Sequence, residues 1–242
     1  MRVALISDIH GNLLALDAVL AELEREGFDR LVCLGDVAVG PQPSETIGRL
    51  RALECPVIMG NWDEWFLNGM PSAADDVGRK LVEIGAWWAD ALTDEDRAFM
   101  MGFQPLLQLT LSEDATMLCY HGSPSSFNDW LFATTPDEDV ARMLGGYAAT
   151  VMAGGHTHLQ MVRRYEGSVI VNPGSVGLPF RQWWPKTVRI AHWAEYALVS
   201  FDGGKASIDL HRTTFDVDAL LRLAGESGMP HAHWWAESWT GH

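Results

Sequence analysis

Five short polar groups stand out because each directly follows an apolar run. They are Asp8-x-His10, Gly35-Asp36, Gly60-Asn61-x-Asp63, His121-Gly122 and Gly155-His156-x-His158. Together they offer carboxylates, one amide and four imidazoles. Mixed nitrogen and oxygen ligands of this kind suit Zn, Fe, Mn or Co, and no thiolate is among them. Asp8, His10, Asp36, Asn61, His121, His156 and His158 make seven candidate ligands, more than one four-coordinate ion uses. A carboxylate can bridge two ions, and two ions ~3.5–4 Å apart clamp the attacking and leaving oxygens of an in-line displacement. Each piece alone is weak. Gly-Asp after a strand is usually a turn, and His-x-His can be one polar face of a strand. The joint occurrence, always behind an apolar strand, carries the reading.

The elements that must position these groups follow from the same runs. Val3 to Ile6, Leu31 to Leu34 and Pro56 to Met59 read as three buried strands. Between them, Asn12 caps a helix with Leu13, Leu16, Leu20 and Leu23 on one face, stopped by Gly27, and a second helix runs from Ser44 to Leu53. This alternation implies right-handed crossovers and a largely parallel core. Helices follow over Asp76 to Leu92 and Thr93 to Met101, then strands over Leu106 to Leu111 and Thr116 to Tyr120. A helix over Pro136 to Leu144 leads to strands over Thr150 to Ala153 and Ser168 to Val171. Tyr196 to Phe201 and Lys205 to Leu210 form a hairpin around Gly203-Gly204, and Asp216 to Leu223 is a last helix. In open α/β sheets, ligands sit at the carboxyl ends of strands, so the five loops converge at one edge. The glycines allow the sharp turns and close backbone approach this needs.

Composition narrows the classes. At 242 residues and 48% hydrophobic content, the chain can bury a large core without disulfide staples. The net charge is −15 with no basic stripe, which excludes duplex nucleic acid and anionic membranes as partners. An acidic chain can still bind an anion where metal ions supply positive charge locally. The three cysteines include no C-x-x-C pair, and Cys33 and Cys119 sit in apolar runs as buried free thiols would. With no long apolar stretch and no signal-peptide core, the expectation is a cytoplasmic protein.

The ordered string D-x-H, G-D, G-N-x-D, H-G, G-H-x-H and Asn172-Pro173-Gly174-Ser175-Val176-Gly177 resembles the calcineurin-like metallophosphoesterase superfamily, nearest its small bacterial and archaeal phosphodiesterase branch. The resemblance spans roughly residues 1–210. It implies an α/β fold, a four-layer α/β/β/α sandwich of two mixed sheets flanked by helices, with residues 1–228 as the catalytic domain and 229–242 as a Trp/His-rich tail. It also implies two divalent metal ions, with Mn²⁺ the first choice and Fe, Zn, Co or Ni accommodated. Carried over by motif, one ion takes Asp8, His10, Asp36 and His158. The other takes Asp36, Asn61, His121 and His156, with Asp36 as bridge. The implied reaction is hydrolysis of a small phosphate ester by a bridging metal-bound hydroxide, with Asp36, Asn61, Asp63 and His121 in the catalytic group. Asp63 is expected to orient a metal-ligating His or to be an exposed loop carboxylate.

One departure bears on the substrate. Many members carry G-N-H-D or G-N-H-E, whose His helps bind phosphate and protonates the leaving group. Here the position is Trp62, whose indole cannot exchange a proton near pH 7. General acid help is worth roughly 10²–10⁴, so the expectation is a phosphodiesterase with weak monoesterase activity. Two readings of Trp62 stand open: a substrate contact, or packing with Trp65 against the next helix. Asn12 is either a phosphate contact or simply a helix cap. Arg181, Trp183 and Trp184 lie in a loop from Leu178 to about Trp193, with Lys186 and Arg189. That loop is either a lid stacking an aryl group or base, or a surface or dimer-contact segment. The apolar tail residues dock on the parent domain or on a second subunit, the latter as a homodimer. The alternatives to a phosphodiesterase are a metal-binding scaffold or sensor of the same fold, as the retromer scaffold subunit is, and a nucleoside-polyphosphate or protein phosphatase.

Overall fold

The structure is a computed structural model that describes residues 1–182 and 187–240. Alternation along the strands of the two large sheets sorts their apolar side chains among three of the four cores. Val3 and Leu5 join one core while Ala4 and Ile6 join another, and Val32 and Leu34 part from Leu31 and Cys33 in the same way. Met117 and Cys119 likewise oppose Leu118 and Tyr120. A strand with both faces buried reads as a continuous apolar run, which is how the sequence presents these segments.

In chain order the elements are β1 (Arg2–Ile6), α1 (Leu13–Glu26), β2 (Arg30–Cys33), α2 (Pro43–Leu53), α3 (Asn61–Asn68), α4 (Asp76–Asp90) and α5 (Asp94–Met100). Then follow β3 (Leu107–Ser112), β4 (Ala115–Cys119), α6 (Asp137–Leu144), β5 (Val151–Ala153), β6 (Met161–Tyr165), β7 (Ser168–Asn172), β8 (Phe180–Gln182) and β9 (Arg189–Ile190). The last are β10 (Ala194–Asp202), β11 (Lys205–Thr213), α7 (Val217–Glu226) and α8 (Ala232–Glu237). One sheet has the order β11-β10-β1-β2 and the other β3-β4-β5-β7-β6, with β8-β9 a small ribbon. The two large sheets pack face to face around Val3, Leu5, Met117, Val151 and Val199. Helices α1 and α2 cover the outer face of the first sheet through Leu16, Leu20, Ile47 and Leu50, and α6 covers the second through Val140 and Leu144. This is the four-layer sandwich of two mixed sheets.

The expected parallel core holds at the centre only. β1 pairs with β2 in parallel, as do β4 with β5 and β5 with β7, whereas β10, β11, β3 and β6 run antiparallel at the flanks. The expected strand over Pro56 to Met59 shrinks to two bridges, Cys33 with Val57 and Ile58 with Gln104. Pro56 and Pro105 bound this pairing and have no N–H to extend it. In the parallel pairs Ile6 stands opposite Cys33, and Cys119, Ala153 and Val171 stand level. The carboxyl ends of these strands therefore open at the same height, where the five polar loops begin.

Helix starts follow their capping chemistry. Asn12 Oδ1 accepts from Ala15 N at 3.1 Å, and Thr93 with Asp96 forms a reciprocal capping box at α5. Asp96 also accepts from Ser44 Oγ at 2.7 Å, tying α5 to α2. Thr93→Ala is expected to cost about 1 kcal/mol and to lower the thermal midpoint by roughly 2–4 °C, read by circular dichroism.

The tail folds back. Trp239 is buried with Ile190, Val217 and Leu220, and His192 Nε2 lies 2.7 Å from the Trp239 carbonyl. His231 pairs with Glu83, while His233 is exposed beside Glu237. No helix of the described residues is long and apolar enough to cross a membrane. Cys33 and Cys119 are buried free thiols, and Cys55 is a half-buried one.

Candidate metal centre

The turns after the strands do unusual backbone work. Asp8, His10, Asp36, His156 and His158 all take left-handed φ, between 50° and 67°. Non-glycine residues rarely do so, and each instance costs on the order of 1–3 kcal/mol. These strained turns aim five side chains at one place. Asp8, His10, Asp36 and His158 bring four ligand atoms within 4.8 Å of one another, and Asp36, His121 and His156 do the same. All are buried, and Asp36 belongs to both groups. Asn61 Oδ1 lies 3.1 Å from His121 Nε2, which places the amide with the second group.

The outer atoms of these side chains are fixed by neighbours. Asp8 Oδ2 accepts from Ser7 Oγ at 2.6 Å and from His156 N at 3.0 Å. His121 Nδ1 lies 2.7 Å from the Leu34 carbonyl, and His158 Nδ1 lies 2.8 Å from the Leu178 carbonyl. Each carbonyl accepts a hydrogen bond from Nδ1–H, which leaves each Nε2 lone pair turned inward and available to a cation. Asp36 Oδ1 accepts from Trp62 N at 2.9 Å, while Oδ2 faces His121 Nε2 at 3.5 Å and His10 Nε2 at 3.8 Å.

The inner atoms lack ordinary partners. Asp8 Oδ1 and His156 Nε2 are buried without a hydrogen bond among the described residues. His158 Nε2 faces Asp8 Oδ1 at 3.3 Å and His10 Nε2 at 3.0 Å. Acceptors turned towards one another need a proton or a cation between them. The charges follow suit. Burial works against the Asp8 charge, yet His158, His121 and His10 hold its carboxyl well below the usual range. Asp36 is lowered against the same burial by His121 and His10. Burial brings His10 and His156 down to about 4. His121 rises to about 9 despite burial, because Asp36 and Asp8 face it, and His158 is raised by Asp8. Divalent cations replace such protons directly. The donor set therefore fits oxygen- and nitrogen-liganded divalent cations.

Asp63 has a different place from the one expected. It is 1% exposed, and among the described residues its hydrogen bonds come from backbone N–H groups. Its Oδ2 accepts from Asp36 N at 2.8 Å and Gly60 N at 3.1 Å, and its Oδ1 accepts from Val37 N at 2.9 Å. It braces the strained Asp36 turn, and by accepting from the N-cap Gly60 N–H it also holds the start of the helix that carries Asn61. Burial, with the Asp36 charge behind it, pushes the Asp63 carboxyl up to about 7. Gly60 is required here, because a Cβ would collide with Asp36 Oδ1.

Asn12 is likewise committed to structure. Its Oδ1 caps α1, as the helix-cap alternative has it, and its Nδ2 donates to the Gly177 carbonyl at 3.3 Å. The Trp62 indole packs edge-on against Trp65 at 5.0 Å and over Gly85 of α4. This is the packing alternative, and the residue's tie to the centre is its backbone N–H. Arg181 is exposed on β8. Trp183, Trp184 and Lys186 lie outside the described residues.

The supporting role of the Asn172 to Gly177 motif, and of two aromatic neighbours, comes from the fold. Ser175 Oγ donates to the Asp8 carbonyl at 2.7 Å, and Asn172 Nδ2 donates to the Gly155 carbonyl at 2.7 Å. The Asn172-to-Gly177 segment is thus a clamp on the first and last ligand turns. Phe180 stacks on His158 with ring centroids 4.6 Å apart, and Trp130 lies 4.5 Å from the His156 ring.

A four-layer sandwich whose strand ends gather carboxylates and imidazoles around a shared aspartate is a metallophosphoesterase architecture. The chain belongs to the calcineurin-like phosphoesterase superfamily, whose domain profile matches residues 1–195. It is similar to an uncharacterized protein of Methanocaldococcus jannaschii, 29% identical over 246 residues that cover 94% of this chain and 93% of that protein. In fold it resembles a hypothetical protein from Pyrococcus horikoshii, with a TM-score of 0.81 and 21% identity over 100% of this chain and 98% of the other. A metallophosphoesterase from Sphaerobacter thermophilus matches with a TM-score of 0.73 and 22% identity over 96% of each chain.

Proposed function

We propose that this protein is a divalent-metal-dependent phosphodiesterase with a dinuclear centre. The observation that carries the reading is the pair of buried ligand groups sharing Asp36. Asp8, His10, Asp36 and His158 would hold one ion, and Asp36, Asn61, His121 and His156 the other. Two such ions supply neutralisation of phosphate charge and activation of water as nucleophile. The chain's own part is orientation and electrostatics. The Leu34 and Leu178 carbonyls fix the two imidazole tautomers. Ser7 and the His156 N–H hold Asp8, and Asp63 holds the Asp36 turn. Such preorganised groups cost no rearrangement when charge develops on the phosphate oxygens.

Diester preference follows from position 62. The Trp62 ring faces α4, and an indole has no proton to give an alkoxide near pH 7. Aryl oxides leave as anions and do not need that proton, so the missing help costs them least. With Mn²⁺, turnover of bis-(p-nitrophenyl) phosphate is expected to exceed that of an alkyl phosphomonoester by roughly 10² or more, within the range general acid help spans. Comparable turnover of the two esters would overturn the diester preference.

A further inference from the structure

The Trp/His-rich C-terminal segment is built into the support of one metal-ligand candidate. Trp239 is 2% exposed and belongs to a cluster with Ile190, Val217 and Leu220, against which Leu14, Leu178 and Phe180 pack. The rings of Trp235 and Phe215 lie against its indole, with centroids 5.5 Å and 6.2 Å away. A chain end frays unless it is tied down, and this one is tied at three successive residues. Arg189 Nη1 donates to the Glu237 carbonyl at 2.8 Å, and Ile190 N donates to the Ser238 carbonyl at 2.8 Å. His192 Nε2 lies 2.7 Å from the Trp239 carbonyl. All three ties reach β9 or the turn just after it.

Strand β9 passes the hold on to His158. Ile190 stands opposite Phe180 in the β8–β9 ribbon, and Ala191 N donates to the Pro179 carbonyl at 2.8 Å. The Leu178 carbonyl meets His158 Nδ1 at 2.8 Å, and Phe180 N donates to the His158 carbonyl at 3.3 Å. The Phe180 ring lies on the His158 imidazole at 4.6 Å and 14°. Residues 178–180 thus grip His158 by ring, backbone and Nδ1, and the cluster that bears them contains Trp239. The second ligand group is held from elsewhere. His121 meets the Leu34 carbonyl and Asn61, and Asn61 opens α3.

We infer that Trp239 is a positioning residue for the metal centre: through β9 and β8 the C-terminal segment holds His158 in its ligating orientation. The inference rests on the metal-binding part of the proposed function. A smaller side chain at position 239 leaves a void in the cluster, and the surrounding structure relaxes partly into it. The ribbon that carries Leu178 and Phe180 is then free to shift, and His158 with it. Partners that orient a metal-ligating imidazole are typically worth 10–100-fold in metal affinity.

The test is calorimetric titration with Mn²⁺ of two parent proteins. His156→Ala keeps the first ligand group whole, and His158→Ala keeps the second. Trp239→Leu should weaken Mn²⁺ binding roughly 10- to 100-fold in the His156→Ala parent and leave the His158→Ala parent unchanged. Trp239→Phe should restore most of the loss. Arg189→Ala, which removes one tie to the tail and leaves the Trp239 cluster in place, should weaken the same parent by less. A lowered thermal midpoint with Mn²⁺ affinity unchanged in the His156→Ala parent would overturn the inference and leave Trp239 a core residue only. Equal losses in the two parents would overturn it as well, as a general loosening of the fold. Should Trp239→Leu fail to fold, Arg189→Ala decides in the same two parents, and unchanged Mn²⁺ affinity overturns the inference. If neither parent binds Mn²⁺, the metal-centre reading fails and the positioning role with it.

Discussion

Asp36→Asn is expected to lower kcat/KM for an aryl phosphodiester by at least about 10³-fold, the upper scale on which one group aimed at transition-state charge acts. The substitution keeps shape and removes charge. Asp36 Oδ1 is already spent on the Trp62 N–H, so the loss falls on Oδ2, which faces His10 and His121. Asp36 is also the residue common to both candidate ligand groups, so in the proposed dinuclear centre its charge would serve both ions. Bound Mn²⁺ should fall below two ions per chain. The fold should survive, because the burial penalty of the charge disappears together with its interactions. Activity within ten-fold of wild type, with full metal content, would remove Asp36 from the role of bridge.

Asp63→Asn should give the second largest effect, through a different route. Asp63 accepts three buried backbone N–H groups on two oxygens. An amide has one oxygen, so at least one of the Asp36, Val37 and Gly60 donors meets an NH₂ instead. An unsatisfied buried donor costs about 1–3 kcal/mol, a drop of several degrees in thermal midpoint for a chain of this size. The Asp36 turn, with its φ of 55°, loses a brace that holds it strained. Outer partners of metal ligands are typically worth 10–100-fold in metal affinity, and that is the weakening expected in a Mn²⁺ titration. Unchanged midpoint and unchanged Mn²⁺ affinity would show that the backbone holds Asp36 without help.

The ligand turns were legible because buried parallel strands write themselves as short apolar runs. Val3 to Ile6 and Leu31 to Leu34 could be little else, and a polar group at the end of each had to sit at a strand's carboxyl end. What closes the site was not legible. The bonds from Asp63 to Asp36 and Val37 span 27 and 26 residues, and no local pattern announces them. Left-handed φ at five ligand candidates is equally silent, since nothing in Asp or His marks it. Helix α3 begins at Asn61 itself, so motif and helix start overlap and the polar motif masks the helical periodicity. β6 runs Met161–Tyr165 at the edge of its sheet, with Arg163 and Arg164 breaking the apolar signal. Trp130 was one tryptophan among 11, with nothing in its sequence neighbourhood to set it beside His156.

The most direct test is the initial rate on bis-(p-nitrophenyl) phosphate before and after metal is stripped and returned. Stripped protein should be inactive, and Mn²⁺ should restore turnover as two ions per chain bind. Failure of Mn²⁺, Fe²⁺, Zn²⁺, Co²⁺ and Ni²⁺ alike to give turnover, with two ions bound, would contradict the hydrolase reading and leave a metal-binding scaffold in its place.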